Sequence, residues 1–406
     1  MQTHISDEIL ATQAGEEANR ILRACVHCGF CTATCPTYQA LGDELDGPRG
    51  RIYLIKDMFE GGEVTQSTQN HLDRCLSCRA CETTCPSGVE FAHLMAIGKA
   101  EVENRVGRSF WDKTKRAVLV SILPNTKRFA FFFGLTRFLR PILPGHLRAK
   151  MPQNKPAQQA AFPQTEHARS VLLIEGCVQP VMSPEIDVNT AKVLDKLGIN
   201  VQRTGVAQCC GAVEHHMNAH DKSLSRIRAN IDAWLPYLDA GAEAILSTAS
   251  ACALEIKEYA YALRNDPIYA HKAKRISEAA KDLVEVLADE DLSAFQLDEP
   301  KRISFHSSCT LQHGQKLNGR VEEVLTRIGY ELTPVQDAHL CCGAAGTYTI
   351  LQPELSTTLR DNKVKALTTH QPELIATANI GCLHQLQSGS EVPVKHWVSL
   401  LATHGS

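Results

Sequence analysis

The clearest alternation of apolar and polar positions lies in the second half of the chain. Six short runs, SVLLIE at 170, INVQRT at 199, AEAILST at 242, RISFH at 302, YELTPV at 330 and ELIATA at 373, are rich in β-branched residues and predict strands. Between the first and second run of each set sits a helical pattern, VNTAKVLDKLG at 188 and GRVEEVLTRIG at 319, each stopped by glycine. Strands separated by helices predict parallel sheets. The first hundred residues are patterned differently. Helices are predicted over Asp7 to Leu22, where Ser6 or Asp7 can cap, and over Glu90 to Val106. A third, Arg51 to Glu60 (RIYLIKDMFE), follows the turn signal Gly47, Pro48, Gly50 and stops at Gly61 and Gly62.

Residues 105–150 connect the two halves. Apolar stretches at 117 (AVLVSIL), 129 (FAFFFGL) and 138 (FLRPILP) are interrupted by Lys127, Arg128, Arg137 and Arg140, and eleven Lys and Arg face one acid, Asp112. No apolar run reaches the roughly 20 residues of a bilayer span, and Pro124, Pro141 and Pro144 break any long helix. A transmembrane helix is therefore not expected. The excess of positive charge favours an interfacial segment, binding anionic lipid or a partner subunit, over an internal connector. Residues 151–168 have three prolines and no apolar period, as in a linker. The expected layout is α+β multidomain. A helical two-cluster ferredoxin domain occupies 1–104, the basic connector 105–150 and the linker 151–168. Two repeated α/β cysteine-rich units follow at 169–262 and 302–402.

The repeat is written in cysteines. Cys177 precedes Cys209-Cys210 by 32 residues and Cys309 precedes Cys341-Cys342 by the same number; Gly211 or Gly343 follows each pair, and Cys252 or Cys382 comes later. Two copies of one supersecondary unit explain this register. All eight thiols fall just beyond the C-terminal ends of predicted parallel strands, the edge where such sheets bind ligands. Glycine after the pair permits a tight turn that lets both sulfurs face one centre. A redox or cofactor role is favoured over structural cysteine or a vicinal disulfide.

The other eight cysteines form a stronger signal. C-x-x-C-x-x-C-x-x-x-C-P occurs at Cys25, Cys28, Cys31, Cys35, Pro36 and again at Cys75, Cys78, Cys81, Cys85, Pro86. Three thiolates at this spacing wrap one [4Fe-4S] cube, while the fourth, turned away by proline, points to a neighbouring cube. Crossed ligation is expected: Cys25, Cys28, Cys31 and Cys85 for one cluster, and Cys75, Cys78, Cys81 and Cys35 for the other. Structural zinc uses two ligand pairs and has no need of four cysteines in one eleven-residue run. Disulfides need an oxidising compartment, whereas the start, MQTHISDEIL, lacks a secretory apolar core.

Composition adds limits. With 406 residues, 44% hydrophobic and 21% charged, the chain is an ordinary globular class, and its net charge of −3 offers nothing to nucleic acid. No G-x-G-x-x-G fingerprint is present, so neither flavin nor NAD is expected on this chain. His27 is expected to be a loop residue, and Arg79 a solvated charge rather than a hydrogen-bond donor to a cluster sulfur. His306, whose counterpart in the first repeat is Ile174, is expected to be a satisfied core histidine, and His396 at most to support a ligand.

Both motif sets together, with GPRGRIYLIKDM at 47, CCGAAGTYTI at 341 and VKHWVSLLA at 394, make the whole chain resemble the iron-sulfur subunits of bacterial glycolate oxidase (glycolate dehydrogenase) complexes. Similar architecture occurs in iron-sulfur subunits of anaerobic glycerol-3-phosphate dehydrogenase, of lactate-oxidising complexes and of heterodisulfide reductase. The resemblance implies an electron-transfer subunit, not catalytic alone. It implies flavin-bearing partner subunits that oxidise glycolate to glyoxylate, or D-lactate, and a quinone or similar acceptor. It also implies peripheral attachment to the cytoplasmic face of the inner membrane. In the heterodisulfide relatives each CCG unit has a fifth cysteine, but here those places hold Glu255 and Gln385. The four remaining thiols per repeat are left with an ordinary cluster, a thiol site or no function. A D-lactate or glycerol-3-phosphate dehydrogenase subunit and a thiol-disulfide reductase are the alternatives. An iron-sulfur sensor would need an output module such as a helix-turn-helix, and none is evident.

Overall fold

The computed structural model describes residues 1–138, 161–205 and 209–403. The last part of the connector (139–150) and residues 151–160 of the linker lie outside them. The N-terminal unit is helical. The segment expected as one helix from Asp7 is two, Asp7–Leu10 and Gln13–Ala24, the first capped by Ser6. They break because Thr12 caps the second by accepting from the Gly15 amide at 3.0 Å, and Gly15 packs so closely on Ile9 that a Cβ would lie 2.1 Å from its carbonyl oxygen. Helices Pro48–Phe59, Gln66–Asp73 and Phe91–Val106 complete a core of Ile21, Leu22, Ile55, Leu72, Leu94 and Met95.

Two four-stranded parallel sheets follow. The first contains β1 (Arg169–Ile174), β2 (Ile199–Arg203), β3 (Ile245–Ser247) and β4 (Ala280–Asp282) in the order β2-β1-β3-β4. The second contains β5 (Lys301–His306), β6 (Tyr330–Leu332), β7 (Leu374–Thr377) and β8 (Val394–His396) in the equivalent order β6-β5-β7-β8. All six strands read from the sequence are present. β4 and β8 are additions. Each is three residues long with two of them polar (AKD, VKH), too short to show a period, and exists because it pairs with β3 or β7. The first sheet therefore extends past residue 262.

In this order the chain reverses direction between β1 and β3, and between β5 and β7, which opens a crevice at their C-terminal ends. One apolar core joins the two units through Val171, Leu173 and Leu194 on one side and Ile303, Phe305 and Leu401 on the other. Helix Glu185–Lys196 meets Val398–Ala402, with Asn189 donating to the Ser399 hydroxyl at 3.1 Å.

Candidate functional site

The two ferredoxin motifs adopt the same local shape. Cys25 ends helix Gln13–Ala24, and Cys75 follows helix Gln66–Asp73. His27 and Gly29 in the first loop, Ser77 and Arg79 in the second, have φ of 54°, 84°, 52° and 62°. Left-handed residues alternating with the chain's ordinary conformation turn successive N–H groups inward, as in an anion nest; the Ser77 amide donates to Cys75 Sγ at 3.4 Å. Pro36 then starts helix Pro36–Leu41, pulling Cys35 out of its own loop.

Long-range packing sorts the eight thiols into two groups. Cys25, Cys28, Cys31 and Cys85 line one pocket, with Cys81, Ile52, Val89 and Phe91 also in its wall. Cys35, Cys75, Cys78 and Cys81 line a second, beside Leu76, Arg51 and Phe91. Phe91 lines both. Burial pushes the Cys31 thiol up to about 11, and Cys78 and Cys81 well above the usual thiol range. Converging thiols that resist ionisation alone are suited to a positively charged metal core, whose binding displaces their protons. The donor set fits a cluster at each place.

The first cysteine-rich unit gathers its four thiols beyond β1 and β3. All four are free thiols; hydrogen bonding between Cys177 and Cys209 drives Cys209 down and Cys177 up, and Cys209 and Cys252 beside Cys210 push its thiol well above the usual range. In the second unit the free thiol of Cys309 donates to Cys341 at 3.9 Å; a hydrogen bond with Cys341 lowers the Cys342 thiol, but Cys382 and burial outweigh it and hold that thiol well above the usual range. The expected glycine turns are present: the Gly211 and Gly343 amides reach Cys209 and Cys341 sulfur at 3.5 and 3.4 Å, at φ of 99° and 79°. Ser223 and Ser356 hold the two glycine carbonyls.

The second unit abuts the second ferredoxin cavity. Leu76 and Cys78 pack with Cys309, Cys341, Tyr348 and Leu359, Tyr348 donates to the Arg74 carbonyl at 2.9 Å, and His313 meets Thr83 at 3.1 Å. The first unit is fastened by Glu258, paired with Arg79 at 2.6 Å and His93 at 3.0 Å, while His93 stacks on Tyr261 at 3.7 Å.

Several sequence expectations change here. Arg79 is not a solvated charge: Glu258, 179 residues away, takes its guanidinium, which no local pattern could reveal. His396 is a satisfied core histidine, bonded to the Thr248 carbonyl at 3.0 Å and accepting from the Val398 amide, away from the thiols. His306 is buried as expected but not satisfied, since its Nε2 has no hydrogen-bond partner among the described residues. His27 is a loop residue, as expected, its ring tilted against that of Tyr53 at 4.5 Å. Glu255 and Gln385 have structural partners, His215 at 2.9 Å and Ser356 Oγ at 2.9 Å.

The described part of the connector forms helices Phe110–Ile122 and Thr126–Phe138, bent by 112°. Among the described residues no single helix is long and apolar enough to cross a membrane. Phe110, Trp111, Phe131 and Phe138 are 68–81% exposed, a run of aromatic surface with Lys113, Lys115, Lys127 and Arg137 alongside. The stretch around Pro141 and Pro144 is outside the described residues.

Comparison with known proteins agrees with this architecture. A family described as "4Fe-4S dicluster domain" matches residues 21–89, and one described as "Cysteine-rich domain" matches 171–257 and 303–387. The chain is 53% identical over 401 residues to the glycolate oxidase iron-sulfur subunit of Escherichia coli (strain K12), covering 99% of this chain and 98% of the relative. It is 29% identical to a probable glycolate oxidase iron-sulfur subunit of Bacillus subtilis (strain 168), covering 90% and 88%. Lactate utilization protein A of Geobacillus thermodenitrificans (strain NG80-2) is 26% identical over 57% of this chain and 98% of its own length. A crystal structure of a hypothetical protein from Helicobacter pylori shares the fold, with a TM-score of 0.56 at 10% identity, covering 99% of this chain and 73% of that one.

Proposed function

Because the chain belongs to the family of glycolate oxidase iron-sulfur subunits, we propose that it is the electron-carrying, non-flavin subunit of a complex oxidising glycolate to glyoxylate. The observation that carries this reading is the convergence of eight thiols on two adjoining pockets that share Cys81 and Phe91. Cys25, Cys28, Cys31 and Cys85 hold one [4Fe-4S] cluster, and Cys75, Cys78, Cys81 and Cys35 the other. When bound, such clusters accept and release single electrons.

The chain's own residues set access and insulation. Cys28 is exposed, with Val26, Phe30 and Tyr53, all more than half exposed, around it, so this rim is the docking port for a flavin-bearing partner. The second cavity is walled from water by Leu76, Tyr348 and Leu359. A shell of this kind excludes solvent and lowers the local dielectric, which tunes a bound centre's potential. The aromatic, basic helix pair 110–138 is the surface for peripheral membrane contact at the cytoplasmic face of the inner membrane, close to a quinone acceptor.

The test is reconstitution under anaerobic conditions. The isolated chain is expected to show iron and sulfide but no glycolate-dependent dye reduction, and adding the flavoprotein partner is expected to restore it. Comparing glycolate, D-lactate and glycerol 3-phosphate assigns the substrate. Glycolate turnover by this chain alone, or absence of bound iron, defeats the reading.

A further inference from the structure

The stretch GPRGR at 47 sets two arginines beside the two pockets, and the fold treats them differently. Arg49 lines the first pocket from the surface, its side chain 39% exposed and paired with Glu44 at 2.6 Å. Arg51 lines the second at 1% exposure. Its burial depends on Gly50, which lies so close to the turn Glu44–Asp46 that a Cβ would sit 2.1 Å from the Glu44 carbonyl oxygen. That approach brings the fully buried Asp46 against the guanidinium.

Arg51 Nε donates to the His71 carbonyl at 2.9 Å, and its terminal nitrogens to the Thr37 hydroxyl at 3.1 Å and to an Asp46 carboxylate oxygen at 3.5 Å. Asp46 also holds Arg74 at 2.8 Å and meets His71 Nδ1 at 3.1 Å, so one carboxylate answers two guanidinium groups and a surplus positive charge remains. Thr37 hands it on. Its Oγ1 lies 3.2 Å from Cys35 Sγ and 2.7 Å from the Asp46 carbonyl oxygen. The hydroxyl receives from Arg51 and has one proton to give. While Cys35 is a thiol, the carbonyl takes that proton. A metal-bound thiolate can only accept, and it draws the proton to sulfur in a hydrogen bond strengthened by the arginine behind it.

The first site is built otherwise. Ile52, the neighbour of Arg51, presents an apolar side chain there, and Ser87 stands two residues after Cys85 as Thr37 does after Cys35. The remaining cations match or are neutralised. The Met1 ammonium meets the Cys25 carbonyl at 2.7 Å as Lys99 meets that of Cys75 at 3.2 Å, and Arg79 is answered by Glu258.

Resting on the reading that each pocket holds a [4Fe-4S] cluster, we propose that Arg51, acting through Thr37 on Cys35, gives the second cluster the higher potential and makes it the electron sink of the pair. An electron supplied by the partner's flavin at the exposed rim then leaves the first cluster oxidised and the second reduced, with no proton transferred. Reduction adds negative charge, which a donor and a cation aimed at the sulfur stabilise. Burial alone works in the opposite sense, but the same low dielectric magnifies the arginine's field. Arg51 is a positioning residue, since its bonds go to Thr37, His71 and Asp46.

The test is an anaerobic potentiometric titration of the full chain followed by paramagnetic resonance, with the signal altered in Cys35→Ser marking the second cluster. In the wild type that signal is expected to appear first on reduction. Thr37→Val should shift its equilibrium about tenfold towards the oxidised form, about 59 mV downward for one electron, and leave the first signal in place. Thr37→Ser, which keeps the hydroxyl, should retain the wild-type value. Arg51→Met should lower the same signal, and the double variant should move it by less than the sum of the two shifts. If Arg51→Met fails to fold, the two Thr37 variants decide. A first cluster reduced before the second, a Thr37→Val shift below about twofold, or equal movement of both signals overturns the assignment with the pockets' reading intact. A chain without bound iron defeats that reading itself.

Discussion

Removing the carboxylate of Glu258 tests how the first cysteine-rich unit holds the second ferredoxin loop. Arg79 lies between Cys78 and Cys81 in a left-handed conformation, and its guanidinium is 2.6 Å from Glu258, with side chains only 17% and 21% exposed. Burial alone would raise the Glu258 carboxyl, yet the His93 hydrogen bond and the Arg79 charge outweigh it and hold it at about 2. Relative to an ordinary 4.5 this is worth about 3 kcal/mol. Glu258→Gln keeps the shape and strands the arginine, so a loss of about 2–3 kcal/mol is expected. If the contact is absent from the unfolding transition state, loss of cluster absorbance after an anaerobic urea jump accelerates about 30- to 150-fold. Arg79→Met should cost a similar amount, and the double variant little more than either. The pH dependence has a definite sign. A depressed folded-state value stabilises above 4.5 and is lost only as pH falls from there towards about 2. With His93 replaced by Gln, so that the other titratable partner of Glu258 is removed, the effect of Glu258→Gln should therefore be flat from pH 8 to pH 5.5. Additive single effects, or accelerations below about threefold, refute the latch.

Cys35→Ser should damage the resonance signal of the second-motif cluster and spare the first, while Cys85→Ser should do the reverse; matching damage within each motif would show uncrossed ligation. Gly343→Ala and Gly211→Ala both force a left-handed alanine at about 1–2 kcal/mol. Only the first also sets a Cβ 2.6 Å from the Ser356 carbonyl oxygen, against a nearest contact of 3.4 Å at Gly211. Thermal denaturation should therefore show the larger loss for Gly343→Ala, by a further ~1–3 kcal/mol. Trp111→Ser with Phe131→Ser removes exposed apolar area without touching the core. Co-flotation with anionic vesicles should fall several-fold while iron content stays constant, and unchanged flotation would remove this surface from the membrane reading.

Sequence by itself determined whatever depends on neighbours along the chain. Thiol spacing of three residues, a proline after the fourth cysteine and glycine after each cysteine pair are local devices, because three sulfurs can converge only if the intervening backbone turns in a set way. Among the described residues six of eight strands were legible for the same reason, their periods being long enough to read, whereas β4 and β8 take their character from the strands they join. Tertiary structure decided the rest. Cys85 stands with the first three thiols and Cys35 with the second because two helical segments pack across Phe91. Arg79 finds an acid 179 residues away, and Cys78 meets Cys309. Partners brought together only by packing leave no trace in spacing, so the ligand-bearing loops were readable from the chain and their surroundings were not.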